Sequence, residues 1–476
     1  MVHNILKTLL AAGFVLCFAA AAAGENSQER SLPDNGVAIP SISWPEPRVD
    51  TFTMGNKIVF FLIKDNTLPL VHIRAMVRAG GFLDPQGKTG LAEITAEVMR
   101  TGGTQKYPPD QLNALLADRA ARISMGFDFI SGSAKMDILS SDLSQLLPVF
   151  VDLLKQPAFP EDKITLAKQQ LNTRISRRND RQAGIARRTF ERLIYGRDSI
   201  YAREPEHETV ARISRADLLR FHKQAYQGAN LMVGIAGDFD PENIRSLLKK
   251  EFSAFAAGEK TDITLPSVDV QKQTSLYVVN KSDVNQSYIM MGHLGGLRMN
   301  PEYPALQVMN QILGGGFSGR LFQTIRTRMG LAYSVSGSYD SRYFYPGTFH
   351  IALTTKTPAT RKAVKAVRDE VRGLQEGITA EELNRAKAQF LHSVAFYYDQ
   401  AEKILERRMY YAYRGMAQDT LQELIKEIEK VTADQVVQAA RKYLLPEALT
   451  ILTVGKQKLL EKQLQALGTA AVLPQP

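Results

Sequence analysis

"ADLLRFHKQAYQGANLMVGIAGDFD", Ala216–Asp240, and "ADQVVQAARKYLLPEALTILTVGKQK", which begins at Ala433, follow one plan. Each runs Ala-Asp, an amphipathic helix, a tyrosine, a break, and then an apolar strand ending in glycine, Gly237 in one and Gly455 in the other. The offset from Ala216 to Ala433 is 217 residues. Within a few residues of that offset, "VRAGG" at Val77 falls on "GHLGG" at Gly292. The helical run at Leu91 falls on "YPALQVMNQILGGG", with Leu91 facing Leu306. Three matches in one order at one offset point to a duplicated α+β unit of roughly 200 residues, not to a short solenoid repeat.

The expected fold class is therefore α+β. Two homologous α/β sandwich-like halves, each an antiparallel sheet covered by helices, are joined by a linker into a clam or bowl. In the first half, "KIVFFLIKD" and "LVHIRAMVRAGG" read as paired strands rich in β-branched residues. A helix is expected from Thr89, and "YPPDQLNALLADRAARISMGF" reads as a further helix opened by Pro109-Asp110. "FISGSAKMDI" alternates like a strand, and "LSQLLPVFVDLLKQ" and "FPEDKITLAKQQLNTRISRR" read as helices. The expected boundaries are 46–255 for the first half, 256–273 for a polar linker, 274–460 for the second half and 461–476 for a tail.

The chain has 476 residues, 44% of them hydrophobic and 23% charged, a composition of globular proteins. Residues 1–23 carry Lys7, an apolar stretch and an Ala-rich end, the pattern of a secretory signal peptide cut near Ala23–Gly24. Residues 24–45 read as an extended lead-in. The one cysteine, Cys17, falls inside the signal, so the mature chain has no disulfide and no thiolate ligand. Export without disulfides fits a bacterial periplasm or cell envelope. The net charge is +10, with a dense basic run from Arg174 to Arg197. That run reads as a solvated helix face or as an electropositive wall for acidic peptides or anionic lipid. No nucleic-acid motif accompanies it.

"GLAEITAEVMRTGGT", Gly90–Thr104, is where chemistry is sought. Positions i and i+4 share a helix face. In the inverted zincin pattern H-x-x-E-H, the outer histidines bind zinc and the glutamate activates water. Here Glu93, Ala96 and Glu97 hold those three positions. On the residues alone the readings are a hard-cation site, an ordinary amphipathic helix, or the remnant of a metal helix. The seven histidines include no pair within five residues, and the run from Thr165 to Arg178 contains no acid to serve as a third ligand. A zinc peptidase acting alone is disfavoured, and no metal is expected in this chain.

These marks resemble the pitrilysin or insulinase-like inverzincin peptidases from about Trp44 to about Gly455. The resemblance rests on "GFLDPQGKTGLAEITAEVMRTGGTQKYP", "QPAFPED", "LLRFHKQAYQGANLMVGIAGD" and the duplication. It implies that Glu93 and Glu97 stand where the family has its zinc histidines, and Ala96 where it has its base. "LGGGFSGRLFQTIRTRMGLAYSVSGSY", Leu313–Tyr339, is similar to the family's Gly-rich loop and Arg…Gly-Leu-x-Tyr segment. The resemblance implies that Arg326 and Tyr333 project into the peptidase chamber and bind the substrate carbonyl. Arg328, five residues from Tyr333, fits less well. Gly314, Gly315 and Gly316 lack the Lys-Ser/Thr of a phosphate loop and read as tight turning or close backbone approach beside the chamber.

Some family members work as two chains, one with zinc and one with the Arg/Tyr pair. The leading expectation is the non-metal subunit of a periplasmic heterodimeric zinc peptidase. It takes short or unfolded peptides, and the zinc belongs to a homologous partner. The alternative is a non-catalytic peptide-binding or structural scaffold of the same fold.

Overall fold

The computed structural model describes residues 48–269 and 273–476. The signal peptide, Cys17, the cleavage site and the lead-in at 24–45 lie outside the described residues, as do residues 270–272 of the linker.

The first half supplies β1 (Asp50–Thr53), β2 (Val59–Lys64), β3 (Leu70–Val77), β4 (Arg122–Phe127), β5 (Gly132–Leu139) and β6 (Leu231–Gly237). The second supplies β7 (Ser275–Asn280), β8 (Gln286–Leu294), β9 (Gly296–Leu297), β10 (Ser334–Tyr339), β11 (Ser341–Arg342), β12 (Thr348–Lys356), β13 (Thr450–Gly455) and β14 (Ala470–Leu473). Two six-stranded sheets result, ordered β1-β2-β6-β3-β5-β4 and β10-β12-β8-β13-β7-β14, beside a small β9–β11 ribbon. Read from opposite ends, β2-β6-β3-β5-β4 and β7-β13-β8-β12-β10 are the same arrangement. The duplication seen in the sequence is thus a duplication of topology.

The sheets are antiparallel except at β2–β6, β7–β13 and β7–β14. A parallel pair needs a long crossover. The chain between β2 and β6, and between β7 and β13, is long enough to carry the rest of each sheet. Both copies of the opening motif begin with a reciprocal cap. Ser214 and Asp217 exchange side-chain and backbone bonds at the helix Arg215–Ala225, and Thr432 and Gln435 do so at Ala433–Tyr443.

Two segments differ from expectation. "YPPDQLNALLADRAARISMGF" is not one helix. It is helical over Pro109–Asp118, turns at Ala120 with φ of 47°, and becomes β4. In β4 Ile123 is buried between exposed Arg122 and Ser124, a strand period that the helical reading overran. The expected tail carries the C-terminal half of the helix Gln457–Leu464 and the edge strand β14.

Each half lends a helix to the other. Gln182–Tyr195 packs on β8 and β13, where Ile185, Phe190 and Ile194 meet Val279, Met290, Leu452 and Val454. Ala401–Arg414 packs on β6, β2 and β3, where Ile404, Leu405 and Met409 meet Phe61, Ile63 and Ala236. Gly234 makes this possible. A Cβ there would lie 2.4 Å from the Met409 sulfur and 2.9 Å from Leu405. The segment between the halves is fastened as well. Gly228 and Ala229 N–H bond the carbonyls of Ala256 and Ala257, and Arg78 Nε donates to the Thr261 carbonyl at 2.7 Å. No helix among the described residues is long and apolar enough to cross a membrane.

Candidate functional site

The helix Leu91–Thr101 lies along β4, the edge strand of the first sheet. Its start is held by Asp84, whose carboxylate accepts the N–H groups of Gly90 at 2.7 Å and Ala92 at 2.9 Å. Burial pushes the Asp84 carboxyl up to about 6, against the pull of those N–H groups. Ile94, Thr95, Val98 and Met99 face the core. Glu93, Ala96 and Glu97 face a cavity of about 620 Å³. Met125, Gly126 and Phe127 of β4 line it, together with Ala167, Gln170, Leu171, Thr173 and Arg174 of the helix Glu161–Arg177.

The structure thus brings Glu93, Ala96 and Glu97 to one cavity wall and sets Gln170 and Arg174 opposite them. Arg174 forms an ion pair with Glu93. The residues present do not fit a catalytic zinc. Imidazoles are absent, the position of a base carries the methyl group of Ala96, and a guanidinium already neutralises one of the two carboxylates.

The basic run is largely consumed in the same way. Arg178 and Arg192 bind Glu206 at 2.5 and 3.1 Å. Arg187 binds Glu191 and Glu204 at 3.0 Å, and Arg188 reaches Glu204 at 3.3 Å. Its dominant face is an ion-paired one, not a free electropositive wall.

The second constellation is built on the equivalent edge of the second half, beside β10. After the helix Tyr303–Gly314 the chain turns through Gly316–Ser318 and forms a π-helix, Phe322–Arg328. Such helices are rare and gather at functional sites. A Cβ on Gly314 would lie 2.0 Å from the Gly337 carbonyl of β10, and Gly316 has φ of +64°. Both glycines therefore serve close approach and turning, while a Cβ at Gly315 would meet the Gln311 carbonyl. Arg320 clamps the segment through a bidentate pair with Glu382, at 2.6 and 2.9 Å. That guanidinium holds the Glu382 carboxyl down at about 2, despite its burial.

On this clamped platform Arg326 and Tyr333 come together. The Arg326 guanidinium lies 4.7 Å from the Phe322 ring centre and 5.7 Å from that of Tyr333. Tyr333 is 79% exposed, at the head of β10, and Phe317 beside it is 76% exposed. Among the described residues Arg326 has no hydrogen bond or ion pair. Arg328, by contrast, is tied to Thr324 and lies 4.0 Å from Glu370. Of the two arginines, Arg326 is the one whose donors are free to meet an incoming group.

Residues 212–390 match the family model described as "Peptidase M16 inactive domain". Over that segment the chain is similar to the M16 peptidase-like proteins. The resemblance read from the sequence is borne out by its relatives. An "Uncharacterized zinc protease" of Rickettsia bellii is 26% identical over 402 residues, covering 82% of this chain and 93% of that protein. A "Non-peptidase homolog YmxG" of Helicobacter pylori is 22% identical, covering 84% of this chain and 93% of its own length. The crystal structure of a peptidase M16 inactive domain from Pseudomonas fluorescens superposes with a TM-score of 0.78 at 22% identity. It covers 86% of this chain and 98% of its own. The M16 fold is shared across both halves.

One cluster escaped the sequence reading. His72, Asp137 and Glu402 each place a potential ligand atom within 4.8 Å of the others. No motif joins residues so far apart in the chain, and a lone histidine in a strand carries no signal of its own.

Proposed function

We propose that this chain is the non-metal subunit of a heterodimeric, periplasmic zinc metallopeptidase. A homologous partner carries the zinc, its histidines and its glutamate base, and cleaves short or unfolded peptides. This chain supplies Arg326 and Tyr333 in trans. Attack on a peptide carbonyl builds negative charge on oxygen, and a positioned donor there is worth about 3–4 kcal/mol. A guanidinium is always charged and offers several donors, and a phenol adds one. The loop at Gly314–Gly316 shapes the chamber wall beside them. Export rests on the signal-like residues 1–23.

The observation that carries the reading is the contrast between the two constellations. The zinc position has lost its ligands and gained the Arg174–Glu93 pair. The Arg326–Tyr333 pair is assembled, clamped from behind and turned to solvent, and among the described residues Arg326 has no hydrogen bond or ion pair. A non-catalytic scaffold is the second reading, favoured by the same Arg174–Glu93 pair and in keeping with the name of the Helicobacter relative. A scaffold has no use for an exposed arginine and tyrosine held in register.

The test is co-expression with an H-x-x-E-H homologue from the same genome. The pair is expected to copurify and to cleave an unfolded peptide that neither cleaves alone. Robust, chelator-sensitive proteolysis by this chain alone would sink the reading.

A further inference from the structure

The strongest unassigned feature lies on the face of the first sheet that the helix Ala401–Arg414 covers. His72 on β3 stands directly opposite Asp137 on β5. The first turn of the lent helix brings Glu402 over both. His72 Nδ1 is 2.8 Å from Asp137 Oδ1 and 3.5 Å from Glu402 Oε2. Arg74, two residues along β3 and 5% exposed, holds the carboxylates from behind. It lies 2.8 Å from Asp137 Oδ1, pairs with Glu402 Oε1, and reaches Glu406 at 3.0 Å. Glu402 Oε2 and Asp137 Oδ2 are not engaged by it.

The charges around this point do not balance. Asp137, Glu402, Glu406 and Asp65 face Arg74, Lys135 and Arg122, the last opposite Asp137 on β4, so four carboxylates meet three cations. Asp399, close by, is matched by Lys403 at 2.8 Å. An excess of carboxylate remains in a half-buried place, which a bound cation would offset. A cavity of about 410 Å³, lined by Asp65, Thr67, His72, Gln400 and Glu402 among others, adjoins two of the three side chains, His72 and Glu402, and has room for water ligands.

We propose that His72, Asp137 and Glu402 bind one divalent transition-metal ion of the Zn²⁺ or Mn²⁺ type. One imidazole nitrogen and two carboxylates are donors such ions accept, with further positions open to water from the cavity. Arg74 is the outer group that orients both carboxylates. The ligands come from both halves, so the ion bolts the lent helix to the first sheet. The site is independent of the Glu93 cavity and of the function proposed above.

The test uses the full mature chain, stripped with a chelator and titrated separately with Zn²⁺ and Mn²⁺ by calorimetry. Bound metal is then counted after desalting. About one ion per chain is expected, with a raised thermal midpoint. His72→Gln keeps a hydrogen-bonding side chain but loses the imidazole, and Glu402→Gln loses a charge. Each is expected to bind at least tenfold more weakly while its circular dichroism stays native. Glu93→Gln with Glu97→Gln is expected to bind as the parent does. The proposal is overturned if the parent binds no stoichiometric ion, or if the His72 and Glu402 variants bind unchanged.

Discussion

Cutting the chain between its halves tests the exchange of helices. A protease site placed at Asp262–Thr264 leaves two fragments, each holding a helix buried on the other's sheet. Ile185, Phe190, Ile194 and Tyr195 on one side, and Ile404, Leu405 and Met409 on the other, are each at most 7% exposed. At about 2 kcal/mol per buried large side chain, these seven hold the fragments by about 14 kcal/mol before association costs. Those costs are on the order of 4–15 kcal/mol. Further ties across the cut then decide the balance. Tyr201 stacks on Tyr345 at 4.8 Å, the Tyr413 hydroxyl donates to the Ile130 carbonyl at 2.8 Å, and Arg74 meets Glu402 and Glu406. The nicked protein is expected to elute as one species at micromolar concentration and to separate only in denaturant. Size-exclusion chromatography read beside a denaturing gel gives the answer. Fragments that part in native buffer would refute the exchange.

Other outcomes follow from the same contacts. Phe190→Ala opens a void between the lent helix and the second sheet and is expected to cost about 3–5 kcal/mol in urea unfolding; a loss below 1 kcal/mol would contradict its burial. The Arg320–Glu382 pair keeps the Glu382 carboxyl at about 2, below its ordinary 4.5. Its stabilisation is present above pH 4.5 and is lost as pH falls toward 2. At about 1.4 kcal/mol per unit that is at most ~3.5 kcal/mol. Asp84 acts with the opposite sign. Its carboxyl is raised to about 6, so its contribution is present below its ordinary 3.8 and is lost as pH rises through 6. Unfolding titrations of Glu382→Gln and Asp84→Asn check the two signs; a pH profile that neither change alters contradicts both. Restoring Glu93→His, Ala96→Glu and Glu97→His in a His72→Ala background is expected to bind zinc poorly while Arg174 remains. Adding Arg174→Glu should strengthen binding at least tenfold by calorimetry, and equal affinity in the two would discount the guanidinium.

Much of the fold was legible because its signals are local. The helix periods, the caps at Ser214 and Thr432 and the strand ends at Gly237 and Gly455 repeat at one offset, and topology repeats with them. The helix-to-strand switch at Ala120 was missed because the helix Pro109–Asp118 passes into β4 through only Arg119, the left-handed Ala120 and Ala121. The loan of helices was not legible at all. Phe190 and Leu405 show an apolar face in the sequence, but nothing there says which sheet the face will find. The same limit hid the Glu93–Arg174 pair and the cluster at His72, whose members lie on separate elements. By contrast, Arg326 and Tyr333 belong to one continuous segment, so that their closeness could be anticipated from it, though the π-helix that carries Arg326 could not.

The central claim is that this chain lends a carbonyl-binding pair to a zinc site it does not possess. The most direct measurement is kcat/KM for an unfolded peptide cleaved by the reconstituted heterodimer, with this chain as parent, Arg326→Ala or Tyr333→Phe. If the pair acts in trans, Arg326→Ala lowers it by about 100-fold and Tyr333→Phe by less, with copurification unchanged. If both variants stay within a few-fold of the parent, the trans role is wrong and the chain is a scaffold.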